Sequence, residues 1–344
     1  MTADDHTALC VLGTGLIGGS LLRAATAAGR TCWGYNRSAP GVAAARTSGF
    51  DVGDDLAAVL RRAAEADALI VVAVPMPAVH AMLDAIAEYA PGCALTDVVS
   101  VKAPVAAAVR RYGLEARYVG GHPMAGTAES GWQATDAELF RGAAWAVGVD
   151  PGTDADVWTR VTRLALDCGA VAVPVTASEH DRAVARISHL PHVLAEALAV
   201  AGARGGDLAL GLAAGSFRDG TRVAGTAPDL VRAICEPNSE ALLAVLDETL
   251  TALGEARESL SAQTSLTDLT EAGHAARQRY ETAERWEITD VFPGAAGWLE
   301  KLQEAGRAGG VLTHLPVAPA GDRPVLRPAR PGPGSPRRNR RDQR

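Results

Sequence analysis

Lysine is missing from the long middle of this 344-residue chain: positions 179 to 300 contain none. That argues against any reaction that relies on a lysine there. Aromatic residues make up only 4%, beside plentiful alanine, glycine and arginine, a bias of coding composition that says nothing about activity. The five cysteines, Cys10, Cys32, Cys93, Cys168 and Cys235, are odd in number and widely spaced, with no C-x-x-C pair. A disulfide framework and a thiolate zinc site are therefore not expected, and reduced thiols in a cytoplasmic protein are. No apolar run is long enough to span a bilayer, the stretch 68–74 being among the longest, and positions 1–7 are too acidic and polar for a signal peptide. A basic body is missing too. The net charge is −7, but the eight arginines and two aspartates of 322–344 leave −13 on everything before them. An acidic body argues against a nucleic-acid-binding fold.

What is present is an alternation of strand-like and helix-like segments. Residues 8–12 are a short apolar run ending in glycines, and 16–28 favour a helix that stops at Gly29. Residues 31–35 read as a second strand. The run 68–74 is aliphatic without alternation, as in a strand buried on both faces, and 94–98, 118–121, 143–149 and 171–175 continue the series. Strand and helix in turn predict an α/β fold with a doubly wound parallel sheet. The pattern changes near 174–178 and is helical from there to about 306. The expected organisation is a dinucleotide-binding Rossmann domain at 1–176 and an all-α substrate and dimerisation domain at 177–306. A Pro- and Arg-rich tail at 307–344 is expected to be disordered. Nearly 350 residues suit two domains better than one.

The first strand runs into Gly13-Thr14-Gly15-Leu16-Ile17-Gly18. Glycines at these three positions serve a tight turn, close approach of the backbone to a pyrophosphate, and close helix–strand packing, and the helix N-terminus favours the phosphates. The second strand ends in Asn36-Arg37-Ser38, where an NAD site usually carries a carboxylate for the ribose. A neutral Asn36 would not repel a 2′-phosphate, and Arg37 and Ser38 are able to donate to one. NAD or NADP is the expected cofactor. Val74 and Pro75, at the end of the third strand of this series, are expected on the nicotinamide side.

The segment Gly120-Gly121-His122-Pro123-Met124-Ala125-Gly126-Thr127 resembles the G-G-H-P-[MI]-A-G-T motif of the prephenate/arogenate dehydrogenase family. Three further blocks are similar to that family in the same order: Asp97-Val98-Val99-Ser100-Val101-Lys102, Ser188-His189-Leu190-Pro191-His192, and Phe217-Arg218-Asp219-Gly220-Thr221-Arg222-Val223-Ala224. With the glycine loop they cover roughly residues 8 to 300. The resemblance implies oxidative decarboxylation of prephenate, or of its amino analogue arogenate, on the route to tyrosine. It implies His122 as the base that takes the ring-hydroxyl proton, a task suited to an imidazole whose usual pKa is about 6.5. It implies Ser100 as a hydroxyl beside the same oxygen and Arg222 as the carboxylate ligand, with its planar fork. His192, His180, Thr127 and Asp219 are implied as further substrate contacts. No metal site is expected, and a homodimer through the helical domain is.

The sequence departs from the family pattern where Ala128 stands in place of a common glutamate, with Glu129 one residue later. Two other classes compete. A β-hydroxyacid-type or imine reductase usually relies on a lysine in a helix of the second domain, and positions 179 to 300 contain none. A non-catalytic nucleotide sensor would have no reason to keep His122, Ser100 and Arg222 together.

Overall fold

The structure is a computed structural model that describes residues 7–127 and 129–316. Six parallel strands form the main sheet: β1 (Leu9–Leu12), β2 (Cys32–Tyr35), β3 (Val52–Gly53), β4 (Leu69–Val72), β5 (Leu95–Asp97) and β6 (Tyr118–Val119), in the order β3-β2-β1-β4-β5-β6. Between them run α1 (Leu16–Ala27), α2 (Ala39–Thr47), α3 (Leu56–Glu65), α4 (Met76–Tyr89) and α5 (Ala103–Arg111). This is the expected Rossmann arrangement. Its cause is visible in β1 and β4, where every residue is buried. Leu9, Val11, Leu69 and Val71 enter one apolar core, whereas Cys10, Leu12, Ile70 and Val72 enter the other. A strand with a core on each face has no polar side to show, so its sequence loses the two-residue alternation.

The series 118–121 does not simply end the sheet. β6 stops at Val119, and the chain turns into β7 (Gly121–Pro123), the edge of a second sheet with β8 (Ala144–Gly148) and β9 (Val171–Val175). β7 is antiparallel to β8, and β8 is parallel to β9. The turn needs a residue without a side chain. A Cβ on Gly121 would lie 2.8 Å from the Asp97 carbonyl oxygen. α6 (Ala155–Asp167) links β8 to β9.

The helical part begins with α7 (Ala177–Val184), whose start is fixed by a capping box between Thr176 and Glu179, a device that satisfies two otherwise unpaired backbone donors. One π-helical turn (Ala185–His189) leads into α8 (Leu190–Ala203). α9 (Gly206–Gly211), α10 (Gly215–Thr221), a 3-10 turn (Arg222–Gly225), α11 (Pro228–Cys235), α12 (Ser239–Ser261) and α13 (Thr267–Glu281) follow.

The expected limit of this domain at 306 is corrected. After α13 the chain returns to the sheet domain through β10 (Trp286–Glu287), α14 (Trp298–Arg307) and β11 (Gly310–Val311). Ile288, Val291, Trp298, Leu302 and Leu312 join the same core as Trp158. The Trp298 and Trp158 rings meet edge to face at 5.5 Å, and Leu312 bridges to Ala172 on β9. The periodicity of 298–307 announces a helix, but periodicity cannot say which core its apolar stripe enters. Residues 307–316, expected in the tail, are thus part of the folded body. The rest of the expected disordered tail, 317–344, lies outside the described residues. No described helix is long and apolar enough to cross a membrane.

Candidate active site

The glycine loop has the packing that its spacing demands. A Cβ on Gly18 would lie 1.9 Å from the Gly13 carbonyl oxygen, and one on Gly13 would lie 2.6 Å from that of Ala73. Gly15 faces open space instead: a Cβ there would meet nothing within 4 Å. Two glycines therefore close the turn against β4, and the third leaves the helix N-terminus approachable. That fits a dinucleotide pyrophosphate.

Asn36 is committed inside the protein. Its amide donates to Thr14 Oγ1 (2.7 Å), and its carbonyl accepts from the Ser38 N–H (2.9 Å). The Ser38 hydroxyl caps α2 by accepting from the Gly41 N–H. Arg37 is exposed.

A cavity of about 400 Å³ opens beside the loop. Gly15, Leu16, Ile17, Val74 and Pro75 line one part of it, and Ser100, His122 and Thr127 line another. Leu230 and Ile234 of α11 add a wall from the helical domain. Cofactor-loop, hydroxyl and imidazole candidates thus share one space. Glu129 also lines it and is the only Asp or Glu that does so among the described residues. Ala128 lies outside the described residues.

His122 is held from behind. Its Nδ1 lies 2.9 Å from His180 Nε2, and His180 Nδ1 lies 2.8 Å from Asp181 Oδ1. Asp181 also accepts the backbone N–H groups of Lys102 and Ala103, each at 2.8 Å. A carboxylate only accepts, so His180 Nδ1 carries a proton and His180 Nε2 a lone pair. His122 Nδ1 must then donate, which leaves His122 Nε2 as the basic nitrogen. Burial, helped by His180, Lys102 and His189, holds the His122 pKa well below its ordinary 6.5. Burial also lowers that of His180, against the pull of Asp181. Burial raises the Asp181 carboxyl pKa, but the hydrogen bonds from His180, Lys102 and Ala103 win and its net shift is downward. A neutral imidazole backed by a neutral imidazole and a carboxylate is the result.

This placement changes the role expected for His180. It is 3% exposed and engaged at both ring nitrogens, so it supports His122 and has no atom left for substrate. The sequence carries no local signal for this contact, because 58 positions separate the two histidines. His189, on the π-helical turn, is buried against the Asn238 amide.

The carboxylate-binding candidates lie elsewhere. Arg222 is exposed on the 3-10 turn, close enough to His192 for its charge to disfavour protonation there. His192 Nδ1 is buried without a hydrogen-bond partner among the described residues. Asp219 is exposed and lies 3.8 Å from Arg218. None of these three residues lines the cavity that holds His122.

Sequence reasoning also missed the buried cluster beneath β7. The Lys102 ammonium donates to Asp97 Oδ1 and to the Gly121 carbonyl oxygen (2.6 Å), and the Tyr118 hydroxyl donates to Asp97 Oδ2 (2.6 Å). Asp97 and Lys102 open and close one family-like block, but their pairing depends on how β5 and α5 fold together.

Comparison with known proteins gives a consistent picture. The family described as "Prephenate dehydrogenase, nucleotide-binding domain" matches residues 20–174, and "Prephenate dehydrogenase, dimerization domain" matches 176–272. The chain is 33% identical over 272 residues to the cyclohexadienyl dehydrogenase of Zymomonas mobilis, covering 76% of this chain and 91% of that one. A crystal structure of a candidate prephenate dehydrogenase from Corynebacterium glutamicum is 49% identical, with a TM-score of 0.86 over 90% of this chain and 99% of the other. The structure of Synechocystis arogenate dehydrogenase is 30% identical, with a TM-score of 0.69 over 80% and 100%. With both domain descriptions matched in order and Ser100, His122 and Thr127 gathered beside the glycine loop, this chain belongs to the prephenate dehydrogenase family.

Proposed function

We propose that the chain oxidises and decarboxylates prephenate to 4-hydroxyphenylpyruvate, using NAD or NADP. The observation that carries this reading is the neutral His122, held through Nδ1, in a cavity continuous with the glycine loop. A bound nicotinamide dinucleotide supplies the hydride acceptor. His122 Nε2 takes the proton of the C4 hydroxyl as the hydride leaves C4. Loss of carbon dioxide from C1 then sends its electron pair through the ring to the C4 oxygen. His122 returns the borrowed proton to that oxygen as the ring becomes a phenol. The proton is therefore lent and given back, and the relay behind His122 stabilises the imidazolium in between. Ser100 orients the reacting oxygen, and Thr127 borders the same space. His180 and Asp181 are positioning residues.

Arg222 and His192 form the proposed carboxylate site. An exposed guanidinium beside an unpartnered buried ring nitrogen suits an anionic group. Asp219 stays a proposed neighbour of that site. A neutral Asn36 with an exposed Arg37 suits NADP as well as NAD. The exposed leucines of the helical part, such as Leu208 and Leu212, both 75% exposed, suit a homodimer.

One observation favours arogenate as a second reading. Glu129 places a carboxylate on the cavity, where it attracts an ammonium group and repels the extra negative charge of prephenate. Steady-state assays crossing prephenate and arogenate with NAD and NADP test both readings. Turnover of neither acid would refute the proposal. Glu129→Gln is expected to lower kcat/KM for arogenate by roughly tenfold and to leave prephenate unharmed.

A further inference from the structure

Both ends of the His122–His180–Asp181 relay terminate on one residue. The backbone N–H of Lys102 donates to Asp181 Oδ1 at 2.8 Å, and its ammonium donates at 2.6 Å to the carbonyl oxygen of Gly121, the residue before His122. Lys102 is 4% exposed and takes no place on the cavity wall, so it does not reach substrate. Its ammonium is locked by Asp97, which Tyr118 and the Val99 N–H hold in turn. The glycines before His122 close the cluster from above. A Cβ on Gly120 would lie 3.3 Å from Lys102 Cδ.

We propose that Lys102 is a positioning residue for the acid–base group: it ties β7 and α7 to one point and places a buried ammonium beneath the strand that carries His122. This inference rests on the function proposed above. One residue thereby fixes the distance between the catalytic strand of the sheet domain and the first helix of the helical domain. A misplacement of about 1 Å in such a group costs roughly 10²-fold in rate, which explains why both contacts are buried.

The charged and titratable groups around His122 are few. His180 and Asp181 face it from α7, His189 from the π-helical turn, Lys102 and Asp97 from beneath β7, and Glu129 from the cavity loop. Asp97 offsets part of the ammonium charge, so the net effect of Lys102 is modest. The direction is fixed. Removing a cation eases protonation of the imidazole, and the acid limb of kcat/KM moves to higher pH.

The test uses Lys102→Gln, which keeps a donor but loses the charge. It also uses the pair Asp97→Asn with Lys102→Met, which removes both charges and leaves no unpaired buried carboxylate. In Lys102→Gln the acid limb is expected to rise by about one pH unit, with the KM for the dinucleotide unchanged. In the paired variant it should rise too, and the plateau kcat should fall about tenfold, because Gly121 loses its donor. A purely structural lysine would lower activity equally at all pH values and leave the limb in place, and that result overturns the proposal. NMR titration of the His122 ring in the same proteins reads the shift without turnover. If the wild type turned over neither cyclohexadienyl acid while the His122 titration still moved, the functional reading would fail and the role of Lys102 would stand.

Discussion

The two halves of the active site are built to different standards. On the proton-handling side the partners of His122 are in place within one chain, drawn from both domains: His180 and Asp181 of α7 and Lys102 of the sheet domain are buried and mutually bonded. On the carboxylate-binding side Arg222 is exposed, His192 Nδ1 is unpartnered among the described residues, and leucines face outward along α9 and α12, including Leu208, Leu243, Leu250 and Leu253. The contrast teaches that the proton-handling half is preorganised by the fold of one chain. On the function proposed above, the other half is completed by what binds: a substrate carboxylate at Arg222 and a second copy on the leucines. Preorganisation is where an enzyme gains most in rate, since no rearrangement is then needed at the moment of reaction.

The comparison predicts a graded series of losses. His122→Asn should lower kcat by roughly 10² to 10⁴ with substrate binding largely kept, as for loss of a general base. Near-normal turnover would dissolve the division between the halves. Arg222→Gln should act oppositely, raising KM for the cyclohexadienyl acid roughly 10- to 100-fold with little change in kcat. A kcat effect there would show that the carboxylate-binding half takes part in chemistry. His180→Gln keeps an acceptor for His122 Nδ1 but breaks the link to Asp181. A loss of about tenfold in kcat is expected, smaller than for His122 itself, and an unchanged rate would make the relay ornamental.

Two predictions concern stability more than rate. Leu250→Asp with Leu253→Asp should halve the mass seen by light scattering at micromolar concentration, while leaving the sheet domain folded. A monomeric wild type would remove the reason for the outward leucines. The smallest effect is on the pH dependence of melting. Burial holds His122 and His180 below 6.5 and His189 down to about 4. In the unfolded chain these rings bind protons once the pH drops below about 6.5, whereas the fold keeps them neutral. Stability is therefore complete above that value and is lost progressively as the pH falls toward the folded values. A Tm independent of pH between about 6.5 and 4 would mean that the rings are not buried as described.

Legibility in the sequence follows the same division. The glycine loop, Ser100, Thr127 and His122 were readable because each sits in a short motif whose spacing fixes local geometry. Their meeting in one cavity follows from strand order. The partner of His122 was not readable. His180 looks like a substrate ligand by resemblance, and only the packing of α7 against α5 turns it toward another ring. The break between β6 and β7 was hidden for a similar reason. The stretch 118–121 reads as one strand, but the close approach of the Asp97 carbonyl oxygen to Gly121 turns the chain into a second sheet. The return of 286–316 to the sheet domain escaped because a helix of the right period fits either core, and the choice lies in Trp158, far away in sequence.

The central claim is that His122 waits as a neutral imidazole with its proton on Nδ1 and its lone pair on Nε2. Nitrogen-15 NMR of histidine-labelled protein, assigned through His122→Asn, reads that tautomer directly. The account predicts a protonated Nδ1 and a bare Nε2 at neutral pH, persisting well below the pH at which free imidazole titrates. An imidazolium at pH 7, or a proton resident on Nε2, would contradict it.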